Sequence, residues 1–282
     1  MNRLRIRHST GFQYAGEVSA SYNEARMLPS SFDGQLVIAA QLDIAPVNAS
    51  HAFVDYWGTR VVSFEVLTPH RELSLTATSV VEVRARPGVV SGLDWEDLGR
   101  AAADRTQTVE LLEQTALTAP PGELVAEAAA IAGRHRSPDA AAREICAAVG
   151  DAIEYVRGVT GVHTSAADAW AQRKGVCQDI AHLALGALRS AGIPARYVSG
   201  YLHPRPEAEI GEPVVGESHA WVEWFDGAAW SGFDPTNGSE IADRHVLVGR
   251  GRDYNDVPPL RGVYGGSVES ELFVSVEITR EA

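Results

Sequence analysis

The hydrophobic period of this chain changes near Asp94, and that change restricts the fold more than any other single feature. Before it, apolar residues alternate with polar ones or gather in β-branched runs. Asn2-Arg3-Leu4-Arg5-Ile6-Arg7-His8 alternates strictly, and residues 36–42 and 73–83 are rich in apolar and β-branched side chains. Such segments suit a pleated, half-buried surface. Residues 53–56 and 61–66 flank Trp57-Gly58-Thr59-Arg60, the pattern of a hairpin with a short glycine-containing turn. After Asp94 the stretches 96–105, 122–134 and 138–154 are alanine-rich and read as helices, punctuated by Pro120-Pro121-Gly122 and Ser137-Pro138. A Ser N-cap followed by proline marks a helix start.

The last third mixes both periods. A helix is predicted from Cys177 to Ala191, with strands over 195–201, 218–225, 229–234 and 271–279. Residues 251–266 are polar, rich in Gly and Pro, and read as a loop. The order predicts an α+β protein: a β-rich N-terminal domain over residues 1–90, then an α+β domain over residues 91–282.

Composition narrows the function class. The 282 residues are 45% hydrophobic, enough for a core without disulfides or structural metal. Lys and Arg number 24 against 37 Asp and Glu, a net charge of −13. That sign disfavours nucleic acid and anionic membrane surfaces as partners. No apolar stretch of about 7–15 residues follows the basic start, as a secretory signal would require. None reaches the roughly 20 residues that span a bilayer. A cytoplasmic protein is expected. Of the two cysteines, Cys146 lies on the apolar face of a helix and reads as a small core residue.

Cys177 is placed differently. In Gly175-Val176-Cys177-Gln178-Asp179-Ile180-Ala181-His182, apolar residues recur at 177, 180, 181, 184, 185 and 188, a helical stripe ending before Gly192 and Pro194. Cys177 therefore opens a long buried helix. The free N–H groups and positive dipole end there stabilise a thiolate and could hold an oxyanion. On its own, however, a cysteine in a helical stripe is more often core than catalyst.

Its partners lie in Ser218-His219-Ala220-Trp221-Val222-Glu223-Trp224-Phe225 and the strand ending in Phe233-Asp234-Pro235-Thr236-Asn237. Asp226-Gly227 between them is a two-residue hairpin signal. A loop of those two residues pairs Phe225 with Ala228, and the same register sets His219 directly opposite Asp234 on one face. A carboxylate at Nδ1 would orient the imidazole and leave the other nitrogen for a thiol, the nucleophile–base–orienter pattern of acyl transfer. The bland alternative is a strand histidine bonded to Asp234 for stability alone. Zinc bound by Cys177, His219 and Asp234 is possible on ligand type, but the helix placement suits covalent chemistry better.

Other residues carry less. His182 lies roughly 140° around the helix from Cys177 and reads as a packed histidine rather than a second base. Asp179 complements the helix dipole. Arg173 and Lys174 read as surface charge. Trp170, Trp221, Trp224 and Trp230 could line an acyl groove, although core packing explains most of them equally well. Gln178, Trp221 and Tyr254 are candidates for substrate or oxyanion contact.

The ordered set Gly175-Val176-Cys177-Gln178-Asp179, Arg196-Tyr197-Val198-Ser199-Gly200-Tyr201, Ser218-His219-Ala220-Trp221 and Phe233-Asp234-Pro235-Thr236-Asn237 resembles the bacterial transglutaminase-like superfamily, with a core match over about residues 160–240. Tyr22-Asn23-Glu24-Ala25-Arg26-Met27-Leu28-Pro29 resembles that family's N-terminal β-domain. Residues 251–262 resemble its C-terminal segment. The resemblance implies a papain-like core, a Cys–His–Asp triad at Cys177, His219 and Asp234, and no metal or organic cofactor.

The expected activity is cysteine-dependent acyl transfer on peptide or side-chain amide bonds through a thioacyl-enzyme. Hydrolysis is favoured because water needs no second binding site. The expected partner is a peptide or protein substrate. The alternatives are protein-glutamine transglutamination and a non-catalytic interaction module. An arylamine N-acetyltransferase fits poorly, because such enzymes carry their cysteine early in the chain.

Overall fold

The computed structural model describes residues 1–85, 92–207 and 209–282. The expected domain boundary at residues 90 and 91 lies outside the described residues.

Six strands open the chain: β1 (Asn2–Val18), β2 (Ser21–Ala25), β3 (Gln35–Ala45), β4 (Ala49–Val54), β5 (Arg60–Val66) and β6 (His70–Val83). The alternating start of β1 behaves as its period requires. Leu4, Ile6 and His8 are buried while Arg3, Arg5 and Arg7 are exposed. The hairpin expected around Gly58 joins β4 and β5, with Val54 paired to Arg60.

Helices follow: α1 (Trp95–Ala103), α2 (Thr106–Glu110), α3 (Gly122–Ala132) and α4 (Pro138–Ala152). Ser137 caps α4, its side chain accepting the N–H of Ala140, with proline in the first turn. A short strand β7 (Glu154–Tyr155), helix α5 (Ala166–Gln172) and strand β8 (Lys174–Gly175) lead into α6 (Cys177–Ser190). After it come β9 (Ala195–Leu202), β10 (Pro213–Gly216), β11 (Ser218–Phe225), β12 (Trp230–Asp234), β13 (Ser239–Glu240), β14 (His245–Gly251), β15 (Leu260–Tyr264) and β16 (Ser270–Arg280). The protein is α+β.

The core sheet runs β13-β12-β11-β9-β14. Helix α6 lies across it, buried from Asp179 to Arg189. Ile180, Ala181, Ala184, Leu185 and Leu188 of the sequence-read stripe pack with Ala220, Val222 and Trp224 of β11 and with Leu124, Ile145 and Trp170 of the surrounding helices. At its end Gly192 takes a φ of 80° and Ile193 N–H bonds to Leu188 O, a glycine-terminated helix end.

The C-terminal strands return to the N-terminal sheets. One sheet runs β10-β16-β1-β6-β3 and another β15-β2-β5-β4. This corrects the reading of 251–266 as a loop, since β15 lies within it. Its residues are half-buried or exposed, so no apolar alternation announced it. What holds β15 is its ladder with β2, where Arg261 faces Glu24 and bonds it at 2.6 Å. Gly262 has no room for a side chain, because a Cβ there would lie 2.1 Å from Asn23 Oδ1. The N-terminal sheet and the core sheet also share apolar packing, with Leu4, Ile6, Val81 and Ile278 against Tyr201, Val246 and Val248.

Candidate active site

Cys177 occupies the first turn of α6, half-buried, after Val176, which supplies no side-chain cap. The turn is fixed by Asp179. Its Oδ2 accepts the N–H of Val176 at 2.8 Å and the hydroxyl of Thr160 at 2.7 Å. Asp179 is therefore a buried bracket as well as a favourable charge at the helix start, and burial raises its pKa against those bonds. Gly175 makes room for it, since a Cβ there would sit 2.8 Å from the Asp179 side chain.

His219 stands at the start of β11 and Asp234 at the end of β12, but their register differs from the expected one. Phe225 pairs with Trp230 and Val222 with Phe233. The turn is centred on Gly227 and Ala228 rather than on Asp226 and Gly227. Asp226 N–H bonds to Ala229 O, and Asp226 Oδ1 accepts the N–H groups of Ala228 and Ala229 at 2.9 and 2.8 Å. Gly227 alone needs positive φ, at 102°. The ladder slips by two residues, so His219 and Asp234 are diagonal neighbours instead of direct partners. A slip of two keeps both side chains on one face, and His219 Nε2 bonds Asp234 Oδ2 at 2.7 Å.

The ring also lies near enough to Cys177 for the thiol to raise its pKa. With Nε2 committed to Asp234, Nδ1 is left for the sulfur, the reverse of the assignment expected from sequence. Burial opposes the imidazolium, but the bonds and charges of Asp234 and Cys177 outweigh it, and the pKa of His219 is pushed up to about 10. An imidazolium beside a thiol favours the thiolate.

Asp234 is fully buried. Its Oδ1 accepts the N–H groups of Thr236 and Asn237 at 3.0 and 3.2 Å. Its Oδ2 accepts from His219, from Asn237 Nδ2 at 2.8 Å and from His245 Nε2 at 3.3 Å. Burial raises the carboxyl pKa, but these donors outweigh it and hold it well below the usual range. Helix α4 approaches this turn closely: a Cβ on Gly150 would lie 2.1 Å from Pro235 O.

The remaining candidates separate. His182 is fully buried, its pKa lowered to about 3 by burial, and its Nε2 accepts the N–H of Tyr254. It is a packed histidine that holds the 3₁₀ turn of Tyr254–Asp256. The Tyr254 ring packs edge-on against Tyr197 at 6.5 Å, and burial raises the Tyr197 pKa, with Cys177 nearby adding to it. Gln178 reaches Val162 O at 3.4 Å. Trp221 is fully buried between His219 and His245, with ring centroids 6.2 and 5.4 Å away, so it walls the site rather than opening onto a substrate. Trp170 and Trp224 are core residues bonded to Glu123 and Asp139. Trp230 lies under Arg196 at 3.7 Å. Sequence reasoning missed His245 and gave no role to Asn237, although Asn237 ends a motif it had singled out.

A cleft of about 1020 Å³ lies along the same sheet face, walled by Trp221, His245, Trp230 and Phe32. Two of its charged groups are paired: Glu223 with Arg196 and Arg250, and Arg143 with Asp139 and Glu240. Among the described residues no helix is long and apolar enough to cross a membrane.

Comparison with known proteins agrees with this architecture. The family model of the bacterial transglutaminase-like N-terminal region matches residues 4–82, and that of the transglutaminase-like superfamily matches residues 126–235. A Mycobacterium leprae protein named as uncharacterized is 44% identical over 283 residues, covering 100% of both chains. An uncharacterized Mycobacterium tuberculosis protein is 33% identical over 290 residues, covering 98% of this chain and 92% of its own. The solved structure of a candidate cysteine protease from Cytophaga hutchinsonii superposes with a TM-score of 0.72 at 20% identity, over 99% of this chain and 97% of the other. That likeness concerns the fold. The superfamily match spans Cys177, His219 and Asp234 together. The chain belongs to the bacterial transglutaminase-like superfamily, and it carries that superfamily's N-terminal region ahead of its core.

Proposed function

We propose that this protein is a cysteine-dependent acyl-transfer enzyme that hydrolyses amide bonds in peptide or protein substrates, with Cys177 as nucleophile. The carrying observation is the His219 ring bonded to the buried Asp234 carboxylate at 2.7 Å and influenced by the nearby Cys177 thiol. With a pKa of about 10, His219 is an imidazolium at neutral pH, and an imidazolium beside a thiol favours thiolate attack. The Cys177 sulfur attacks the amide carbonyl, and the first-turn N–H groups of α6 receive the oxyanion. The C–N bond breaks as His219 passes its proton to the leaving amine, forming a thioester. Water then attacks the thioester, giving one proton back to His219, and the acid leaves as the thiolate re-forms. No step draws on a metal or organic cofactor.

Incubation with a peptide library, with and without a primary amine, tests this by mass spectrometry. Cleavage at backbone amides, lost in Cys177→Ala, supports a protease, and a gain of about one dalton at glutamine supports an amidase acting on side chains. Amine incorporation at glutamine would replace hydrolysis by transamidation. No Cys177-dependent product, together with equal alkylation of Cys177 in the wild type and His219→Ala, would leave a non-catalytic module.

A further inference from the structure

His245 begins β14, eleven residues beyond Asp234 in the chain, with 1% of its side chain exposed. Its two ring nitrogens have different neighbours. Nδ1 accepts the N–H of Ala242 at 3.2 Å, so that nitrogen presents its lone pair. The ring proton is then on Nε2, which lies 3.3 Å from Asp234 Oδ2 and donates to it. Protonating Nδ1 would set two N–H groups against each other. Trp221 meets the ring edge-to-face at 5.4 Å.

The choice of donor matters. Asp234 receives bonds from Asn237, from two backbone N–H groups and from His245, none of which carries charge in this arrangement. A Lys or Arg in place of His245 would neutralise the carboxylate and withdraw its field from His219. A neutral donor fixes the carboxylate and leaves its charge to one cation.

We propose that His245 is a positioning residue for the acyl-transfer reaction: a tautomer-locked neutral donor that fixes Asp234 against His219 without competing for its charge. This rests on the reading of Cys177 as nucleophile and assigns the group that orients the orienting residue.

The test is the rate of Cys177 alkylation by iodoacetamide in the full chain near neutral pH, for wild type, His219→Ala, His245→Phe and His245→Gln. His245→Phe should slow alkylation by about tenfold or more, because a loosened carboxylate misplaces the base. His245→Gln can set an amide N–H near the lost Nε2 and should recover to within about threefold of wild type. A purely space-filling role predicts that Phe matches or exceeds Gln, and that result overturns the proposal. Because His245→Phe could fail to fold, ¹⁵N NMR of the wild-type ring gives an independent check. The expected signature at pH 8 is a neutral ring protonated on Nε2. An Nδ1–H tautomer or an imidazolium overturns the proposal. If wild type and His219→Ala label equally, the nucleophile reading itself falls. If those two differ while His245→Phe tracks wild type, only the role of His245 falls.

Discussion

Two buried carboxylates share one face of the core sheet, and they are held in opposite ways. Glu223 lies opposite Gly232, two positions along β12 from Asp234, so both acids project to the same side. Glu223 is clamped by Arg196 at 2.6 Å and Arg250 at 2.8 Å. Asp234 is clamped by two imidazoles, one amide and two backbone N–H groups. Guanidinium keeps its proton at any ordinary pH, so the Glu223 cluster cannot exchange one. An imidazole can, and the Asp234 cluster places one of its two beside a thiol. The same sheet thus holds a fixed electrostatic scaffold at one end and, in the proposed reaction, a proton-transfer device at the other. The difference lies in the choice of cation.

The sharpest way to break this contrast is to neutralise each acid in turn. Asp234→Asn should slow Cys177-dependent turnover by on the order of a hundredfold or more, since the ring loses the acceptor that orients it. Glu223→Gln should leave turnover within about threefold, because it touches neither reacting group. Equal losses in the two variants would erase the division into scaffold and device.

Stability should divide the other way. Glu223→Ala leaves two guanidiniums facing each other in a partly buried site and should cost about 3 kcal/mol in urea unfolding, the low end for breaking a buried pair. Parallel unfolding curves with the wild-type midpoint would show that the cluster is solvated.

The two clusters should also fail at opposite ends of the pH scale. The His219 pKa is raised from its ordinary value, so its charged pairing stabilises fully below about 6.5 and is lost as pH rises through about 10. The Glu223 pKa is lowered to about 2, so its pairing stabilises above about 4.5 and is lost as pH falls through about 2. The alkaline limb of turnover should fall near pH 10 and move down in Asp234→Asn, while Glu223→Gln leaves it in place. A limb unmoved by Asp234→Asn would detach the carboxylate from the base.

The smallest effect sharpens how tightly the device is mounted. Gly150→Ala inserts a methyl against Pro235 O and should cost about 1–2 kcal/mol by overpacking. It should slow Cys177 alkylation by about threefold as Asp234 shifts. Wild-type behaviour in both assays would mean that α4 yields instead.

Much of this was legible in the chain, for identifiable reasons. The stripe from Cys177 to Leu188 made α6 unambiguous, and Ser137-Pro138 marked the start of α4 to the residue. The short helix α5, seven residues long, offered too little length for a period. Strand β15 was invisible because it is recruited by its neighbour rather than by burial. The β11–β12 turn was misplaced because Asp226-Gly227 and Gly227-Ala228 both satisfy local turn chemistry. Only the buried Asp226 carboxylate, which closes the turn from outside it, selects between them.

Strand parity, the helix start at Cys177 and the shared face of His219 and Asp234 were settled by local spacing, because a two-residue period survives any even slip of register. The assignment of ring nitrogens, the bracket of Asp179 and Thr160 under the helix start, and the arrival of His245 behind Asp234 were decided by packing alone. Two strands, β11 and β9, lie between β12 and β14, and His245 reaches Asp234 from the first residue of β14, across Trp221 of β11. That is a long-range consequence of packing, and no spacing between residues 234 and 245 encodes it.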